Sequence, residues 1–568
     1  MERWFINMKK ADFYGIAEKY DISPIIARII RNREIISEEE IDFYLNGTIA
    51  DLYDGMLMKD MDRAVEILAE KIREEKPIRI IGDYDIDGVN ATYILQSGLS
   101  ELGGKVDIDI PDRIKDGYGL NQTLIDRAID AGIDTIITCD NGIAAYDEIA
   151  YGHEKGLTII VTDHHEVPFE MIDDEKCYML PPADAVVDIK RPDCEYPFKK
   201  LCGAAVAYKM IEALFNMMMR DPEDVDYLME NVAIATIGDV VDLEGENRVF
   251  AKQGLEMLKR TKNEGLKALM ECTSINVDKL KSYDIAFVLG PCINASGRLD
   301  TAKRALSLLN ARTPDEAMRL ANELKCLNDE RKDMTERGKK AAIEMVETTD
   351  LINDKVLVIY LPDIHESIAG IIASKVKERF YRPTIIFTKV ENGVKGSGRS
   401  TDEYDMFEQF NKYRDMFTKF GGHKAAVGAS MKEENLEKFR KAINDVCPLT
   451  DEQIQEKVLI DMELPFGYVT KDLVEQLKVI EPCGKGNKTP LFVAKDLQVI
   501  DYRRLGKNRN GLKCKVKDQT GIEFDAVSWE DVDALEQLIM EKGQLTFTFF
   551  PSINNFDGEI QLRIKNFR

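Results

Sequence analysis

The sequence predicts an α/β protein: a parallel sheet covered on both faces, a second α/β domain, and a small β-barrel at the C-terminal end. Three observations predict it. From Ile78 to about Asp188, short β-branched runs alternate with amphipathic helical segments, the pattern of βαβ units. From Thr313 to about Val346 a charged stretch keeps Ala317, Leu320, Ala321, Leu324 and Leu327 on one helical stripe, which suits a helix bridging two domains. After Lys457, short strand-like runs and turns surround one helical segment, as in a small barrel.

At 568 residues the chain is too long for one core. The expected division is a helical segment over 1–55, a first α/β domain over 56–310, a linking helix over 311–350, a second α/β domain over 351–450, and a barrel over 455–568. Composition is that of a globular protein, with 44% hydrophobic and 32% charged residues. No apolar run is long enough for a bilayer and the N-terminus has no apolar signal core, so a cytoplasmic location and no membrane partner are expected. The ten cysteines show no Cys-x-x-Cys spacing, which predicts buried free thiols rather than a zinc ribbon. The net charge of −25 repels a polyanion at long range, so any nucleic-acid binding must rest on local basic patches and bound cations.

In chain order, Ser37-Glu38-Glu39-Glu40 forms a capping box, and Asp60 to Glu75 is an amphipathic helix stopped by Pro77. Strands are expected at Ile78–Ile81, Val106–Ile110, Thr135–Thr138, Thr158–Val161 and Ala185–Val187. Helices are expected at Gln122–Ala131, Tyr146–Lys155, Gly203–Phe215 and Val225–Ile237. Thr313-Pro314-Asp315-Glu316 opens the linking helix, and Val356–Tyr360 begins the second α/β region. Leu491–Val493, Leu512–Val516 and Leu545–Phe549 are the barrel strands, with a helix over Asp531–Glu541; the oligonucleotide-binding fold is the leading candidate.

Three strands end in chemistry. Ile78–Ile81 runs into Asp83-Tyr84-Asp85-Ile86-Asp87-Gly88, Thr135–Thr138 into Cys139-Asp140-Asn141-Gly142, and Thr158–Val161 into Asp163-His164-His165. Ligands bind beyond the carboxyl ends of parallel strands, so carboxylates and imidazoles would meet at one rim. Asp83, Asp85, Asp140, Asp163, His164, His165 and Asp239 are ligand types for hard divalent cations, imidazole shifting preference toward manganese. Asp87-Gly88 reads as the turn into the next helix. Gly396-Ser397-Gly398-Arg399 and Gly421-Gly422-His423 read as glycine-rich loops able to approach phosphate, or as two surface turns. Arg503, Arg504, Lys507, Arg509, Lys513, Lys515 and Lys517 form a basic strip, either a strand-tracking groove or a solvated hairpin.

These motifs, with Gly238-Asp239-Val240, resemble the four motifs of the DHH phosphoesterase superfamily. Pro111-Asp112-Arg113, Asp116-Gly117-Tyr118-Gly119-Leu120, Ile293-Asn294-Ala295-Ser296-Gly297-Arg298-Leu299, Ala425-Ala426 and Glu481-Pro482-Cys483-Gly484-Lys485-Gly486-Asn487 further resemble its RecJ family of single-strand-specific exonucleases. The resemblance implies a DHH domain and a DHHA1-like domain joined by the long helix, with a cleft admitting one strand. It implies metal ligation by Asp83, Asp85, Asp140, His164 and Asp239, and catalytic roles for Asp85, Asp140, Asp163, His164, His165 and Arg298. His165 would be a ligand or a contact to the scissile phosphate, along which Arg298 would lie. Arg113, Ser397 and Arg399 would hold the strand's 5′-phosphate, with Tyr118 and His423 among the nucleic-acid contacts.

Two manganese or magnesium ions would serve a 5′→3′ exonuclease releasing 5′-mononucleotides from single-stranded DNA, in recombination and repair. A single-strand-binding protein and a helicase are the implied partners. Two departures from the family pattern are Ile81, where a histidine is frequent, which would weaken a metal's outer shell, and Ser367 after His365-Glu366, expected away from the metals. The competing readings are a phosphodiesterase of short oligonucleotides or cyclic dinucleotides, and a scaffold without chemistry.

Overall fold

The computed structural model describes residues 2–568 apart from 114, 115, 118, 174, 507, 555 and 556. Its central sheet has five strands in the order Lys105–Asp109, Pro77–Gly82, Thr135–Cys139, Thr158–Asp163, Ala185–Asp188, all parallel. Adjacent residues of one strand serve opposite layers, as strand geometry requires. Ile78, Ile80, Ile137 and Ile160 join the helices Met61–Arg73, Ile86–Glu101 and Gly203–Met217 in one core. Ile81, Ile136, Ile159 and Val161 join Gln122–Asp130 and Tyr146–Glu154 in another. A strand buried on both faces reads as a largely apolar run, which is why four of these were visible in the sequence, whereas the edge strand Lys105–Asp109 shows alternation instead.

The expected helix over Val225–Ile237 is two elements, a 3-10 stretch Pro222–Leu228 and the α-helix Met229–Gly238. The linking helix spans Pro314–Thr348, with the Thr313 side chain accepting from the Glu316 amide. Its first half packs with Cys292 and Leu289, its second with Ile372 and Ala373 of the next domain. That domain is a mixed sheet in the order Phe417–His423, Ala426–Met431, Gly393–Arg399, Thr384–Val390, Leu357–Tyr360.

The C-terminal domain is a closed barrel. Phe492–Leu505, Gly511–Lys517, Glu523–Ser528, Ile560–Phe567 and Gln544–Ile553 pair in sequence, and the first and last of these pair again to close it. Its core also contains Ile26, Ile29, Ile30, Ile41, Tyr44 and Leu45 from the N-terminal helices. The strand Arg3–Ile6 runs parallel to Lys457–Ile460, so the two ends of the chain build one unit. All ten cysteines are free; five are buried, whereas Cys177 and Cys326 are exposed. Among the described residues no helix is long and apolar enough to cross a membrane.

Candidate active site

Register brings the three motif-bearing strand ends together. Gly82 lies beside Cys139, and Cys139 beside Thr162, so the residues that follow converge at one rim. The Asn141 side chain ties two of these ends, donating to the carbonyls of Ile81 at 3.1 Å and Cys139 at 2.9 Å. Asp140 turns out of its strand at φ +60°, a left-handed conformation that aspartate tolerates and that recurs at functional sites. The helix Gly203–Met217 begins against it; a Cβ on Gly203 would come within 2.8 Å of the Asp140 Cβ.

Three overlapping groups result: Asp83, Asp85 and Asp140; Asp140, His164 and His165; and Asp87, His164 and Asp239, each with its ligand atoms within 4.8 Å of one another. Their charges do not cancel. Burial, then Asp85, holds the Asp83 carboxyl well above its usual range; burial, then Asp87, Asp85 and Asp83, does the same to Asp140. Burial with Asp87 and Asp85 pushes Asp239 up to about 8. The Asp83 Oδ1 atom is buried with no hydrogen-bond partner among the described residues.

His164 sharpens the point. Its Nδ1 lies 3.1 Å from the Leu201 carbonyl, which can only accept, so Nδ1 carries the proton. Burial lowers this imidazole to about 3, leaving it neutral. Its Nε2 lone pair therefore faces Asp140 Oδ1 at 3.0 Å and Asp87 Oδ2 at 3.5 Å. Lone pairs directed at carboxylate oxygens repel unless a cation lies between them, and a backbone carbonyl on the other ring nitrogen is the usual support of a metal-binding histidine. The donor set fits divalent cations.

Two sequence expectations change. Asp163, expected to be catalytic, accepts from the Ile143 amide at 3.0 Å with one oxygen, and from the His164 amide and the His165 ring, each at 2.7 Å, with the other. It joins none of the three groups. It holds the His165 ring, and, burial notwithstanding, the His165 imidazole keeps its carboxyl low. His165 is raised to about 9, burial being outweighed by Asp163. Asp87, read as a turn residue, joins the cluster while accepting from the amides of Gly203 and Ala204, both at 2.7 Å. Asp-Gly pairs are so common in turns that this second task leaves no separate signal in the sequence. Ile81 packs in the apolar core with Leu124 and Ile159.

Arginines gather beside the acidic cluster. Arg113 lies over the Tyr84 ring, 5.0 Å from its centroid. Arg298 donates to the Ser367 carbonyl at 3.0 Å, so the segment expected away from the site anchors one of its arginines. Burial and the charges of Arg113, Arg331 and Arg399 lower Arg298 to about 10, against the pull of Asp85. Arg331, whose guanidinium donates to Asn328, sits mid-helix in a charged stretch and had no distinguishing signal in the sequence. Burial and Arg113 also lower Arg399, whose guanidinium lies against Gly370 in the first turn of Ala369–Phe380. Burial and Arg399 lower His423. The expected glycine loops are strands, Gly393–Arg399 and Phe417–His423. Their glycines make room for side chains: a Cβ on Gly396 would lie 2.6 Å from the Phe387 ring, and one on Gly398 2.6 Å from the Met406 sulfur. Ser397 is half-buried in the first of these strands. Tyr118 and Lys507 lie outside the described residues.

The helix Gly290–Leu299, which carries Arg298, packs directly on the loop that bears Asp83 and Asp85. Asn294 accepts from the Ile86 amide at 2.9 Å, and a Cβ on Gly297 would stand 2.2 Å from the Tyr84 carbonyl oxygen. Gly297→Ala is expected to push this helix from the metal loop, costing about 1–3 kcal/mol and at least about ten-fold in turnover. Thermal melts and rates on one preparation check it; wild-type values for both would refute the close packing.

On the barrel, Arg504 is committed to Asp533 and Glu536, Lys513 to Asp525, and Lys517 to Glu523. Arg503 and Arg509 are exposed and make no ion pair among the described residues. The Glu481–Asn487 loop is an interdomain seam: the Leu243 amide donates to the Lys485 carbonyl at 2.8 Å, and Asn487 accepts from Arg33 at 2.7 Å and Tyr44 at 2.9 Å. Arg248 donates from the first domain to the carbonyls of Tyr44, Ile480 and Val479.

Fold and site define a metal-dependent phosphoesterase of the DHH class. Family models match in chain order: the DHH family N-terminal domain over residues 77–236, the DHHA1 domain over 353–448 and the RecJ OB domain over 460–566. The single-stranded-DNA-specific exonuclease RecJ of Bacillus subtilis is 34% identical over 99% of this chain and 70% of its own length. That of Escherichia coli is 31% identical over 96% of this chain and 95% of its own. The crystal structure of RecJ from Thermus thermophilus in complex with Mn2+ superimposes with a TM-score of 0.83 at 26% identity, covering 100% of this chain and 79% of that one. The chain belongs to the RecJ family.

Proposed function

We propose that this protein degrades single-stranded DNA from the 5′ end, releasing 5′-mononucleotides with the help of two manganese or magnesium ions. One observation carries the reading: an acidic, cation-demanding cluster lies beside a group of arginines, with Arg298 under the charges of both. The names of the relatives, and the Thermus structures with Mn2+ and with Mg2+, support it.

Asp83, Asp85, Asp140, His164 and Asp239 would hold the ions, with Asp87 behind them. Bound there, the ions would supply a nucleophile at neutral pH and neutralise the departing 3′-oxygen. The remaining work falls to side chains. Arg298 would steer the scissile phosphate, while Asp163 fixes the His165 ring and so presents its other nitrogen to that phosphate or to an ion. Arg113, Arg399 and Ser397 would grip the terminal 5′-phosphate, the arginines by paired donors matched to phosphate oxygens. A fixed grip one nucleotide from the ions sets a step of one nucleotide. In this reading residues 56–310 hold the ions, 351–450 the strand end, and 455–568 the outgoing strand. A role in recombination and repair, a cytoplasmic location, and a single-strand-binding protein and a helicase as partners go with the family reading.

The test is purified protein with manganese and strands labelled at either end, single and double. A 5′ label should appear as mononucleotide from the first cycle, a 3′ label should pass down a ladder, and blunt duplex should persist. Release of the 3′ label first would overturn the polarity, and faster cleavage of a dinucleotide than of a long strand would favour the short-oligonucleotide alternative. For the barrel, reversing Arg503 and Arg509 together is expected to flatten the logarithmic salt dependence of binding by about 1.4, because each single-strand phosphate that a cation neutralises adds about 0.7 to that slope. An unchanged slope would return both to the solvated surface.

A further inference from the structure

The helical segment that ends in Arg298 begins at the barrel. Ser282 donates to the Cys483 carbonyl at 2.6 Å, and Lys281 pairs with Glu481 at 2.6 Å. At its other end Arg298 reaches Ser367 of the second domain. The segment therefore runs from the seam with the C-terminal barrel to the second domain. Its buried side is accounted for by Ile285, Leu289 and Ile293 in the core.

Its outer side carries an unusual pair. Tyr283 is 64% and Phe287 61% exposed, and their rings lie 4.8 Å apart between centroids at 31° to each other. They stand on or beside a single π turn, Ile285–Leu289, a feature frequent at functional sites. Phe287 and Arg298 are separated by about three helical turns, roughly 16 Å, and so share a face. Asn294, which accepts from the Ile86 amide beside the metal cluster, lies between them near that face. Lys279 and Lys281 immediately precede the pair; both are exposed, and Lys279 makes no ion pair among the described residues. The Asp284 carboxylate is occupied by the Lys281 amide at 2.9 Å.

Aromatic rings standing out of a surface with cations beside them, on a wall continuous with a phosphate-binding arginine, match what an extended single strand requires. Its bases need apolar faces and its backbone needs positive charge, and stacking serves any base sequence. A folded protein partner would instead call for a broad apolar patch, whereas Lys279, Lys281 and Asp284 lie close to this pair in the chain and only Ala286 and Val288, both half-buried, extend its apolar surface along the helix.

We propose that Tyr283 and Phe287 form a base-stacking platform for the part of a single strand lying between the catalytic cleft and the C-terminal barrel. The proposal rests on the exonuclease reading above and adds a subsite to it. The platform engages nucleotides on the 3′ side of the scissile bond, so it retains a long strand between cleavage cycles and is indifferent to one too short to leave the cleft.

The experiment uses the full-length protein and the double variant Tyr283→Ala/Phe287→Ala; both side chains are exposed, so folding is spared. The rate parameters with manganese are measured on a 5′-phosphorylated trinucleotide and on a long 5′-phosphorylated strand. In parallel, 2-aminopurine is walked along the long strand and its emission read on binding in EDTA. The expected result is a KM about ten-fold higher on the long strand, unchanged values on the trinucleotide, and a quench confined to internal positions in the wild type and absent from the variant. Identical emission profiles in the two proteins, or an equal loss on the trinucleotide, would overturn the platform. Failure of the wild type to cut either strand would instead overturn the exonuclease reading.

Discussion

Asp140→Asn is expected to reduce single-strand hydrolysis by at least about 10³-fold, because one carboxylate would leave the cluster that would hold the ions. Asparagine is the informative replacement. It adopts the φ of +60° seen here, so the turn survives and only the charge is lost. The same change should raise the melting temperature of the metal-free protein by several °C, since it removes a carboxyl whose charged form is disfavoured by burial and by Asp87, Asp85, Asp83 and Asp239. The pH dependence follows from sign. Asp239 has a folded value of about 8 against an ordinary 3.8, so the metal-free fold loses stability as pH climbs between those values. His165, raised to about 9, contributes in the same direction, its stabilisation fading as pH rises through that value. Cations replace the protons, so the rise in melting temperature on adding manganese should grow from pH 5 to pH 8. Equal metal-induced shifts at both pH values, or turnover within ten-fold of wild type, would sink the assignment.

The metal rim was legible because parallel strands advertise themselves. Pro77–Gly82, Thr135–Cys139 and Thr158–Asp163 are buried on both faces; the first two are followed at once by an acid and the third ends in one. What could not be read is how each acid turns. Asp163 and Asp140 are both acids at the ends of neighbouring strands, yet one is used up by backbone amides and an imidazole while the other points among carboxylates. That difference arises from backbone torsions, which periodicity does not carry. Gly396 and Gly398 misled for a related reason: glycines that admit Phe387 and Met406 look, in sequence, like glycines that form a loop. The barrel's longest strand, Phe492–Leu505, breaks its own alternation with register shifts between Ala494 and Leu497 and between Val499 and Asp501, so only its first residues matched a strand pattern. The union of Ile26, Ile30 and Tyr44 with Phe492 and Leu562 in one core was invisible, because no local pattern states which distant surface an amphipathic helix will cover.

Arg399→Ala should separate holding the strand's end from cutting it. Beyond burial, Arg113 disfavours the charged forms of Arg298 and Arg399, and Arg399 adds to the effect on Arg298, an arrangement tolerable because an anion placed among them relieves the repulsion. Losing one charged fork should raise KM for a 5′-phosphorylated strand by about 10- to 100-fold, the worth of hydrogen bonds to a charged group. Strands ending in a 5′-hydroxyl should show no further loss, and kcat at saturation should stay within a few-fold, since Arg298 and the acidic cluster are untouched. Arg399→Lys should recover little, as a single ammonium cannot reproduce the planar fork. A binding signature independent of turnover accompanies this. Inorganic phosphate should raise the melting temperature of the wild type by filling the arginine cluster, and should do so much less in Arg399→Ala. If phosphorylated and hydroxylated strands lose equally, Arg399 serves the architecture of the strand Gly393–Arg399 rather than the strand's end, and the one-nucleotide step must be set elsewhere in the cleft.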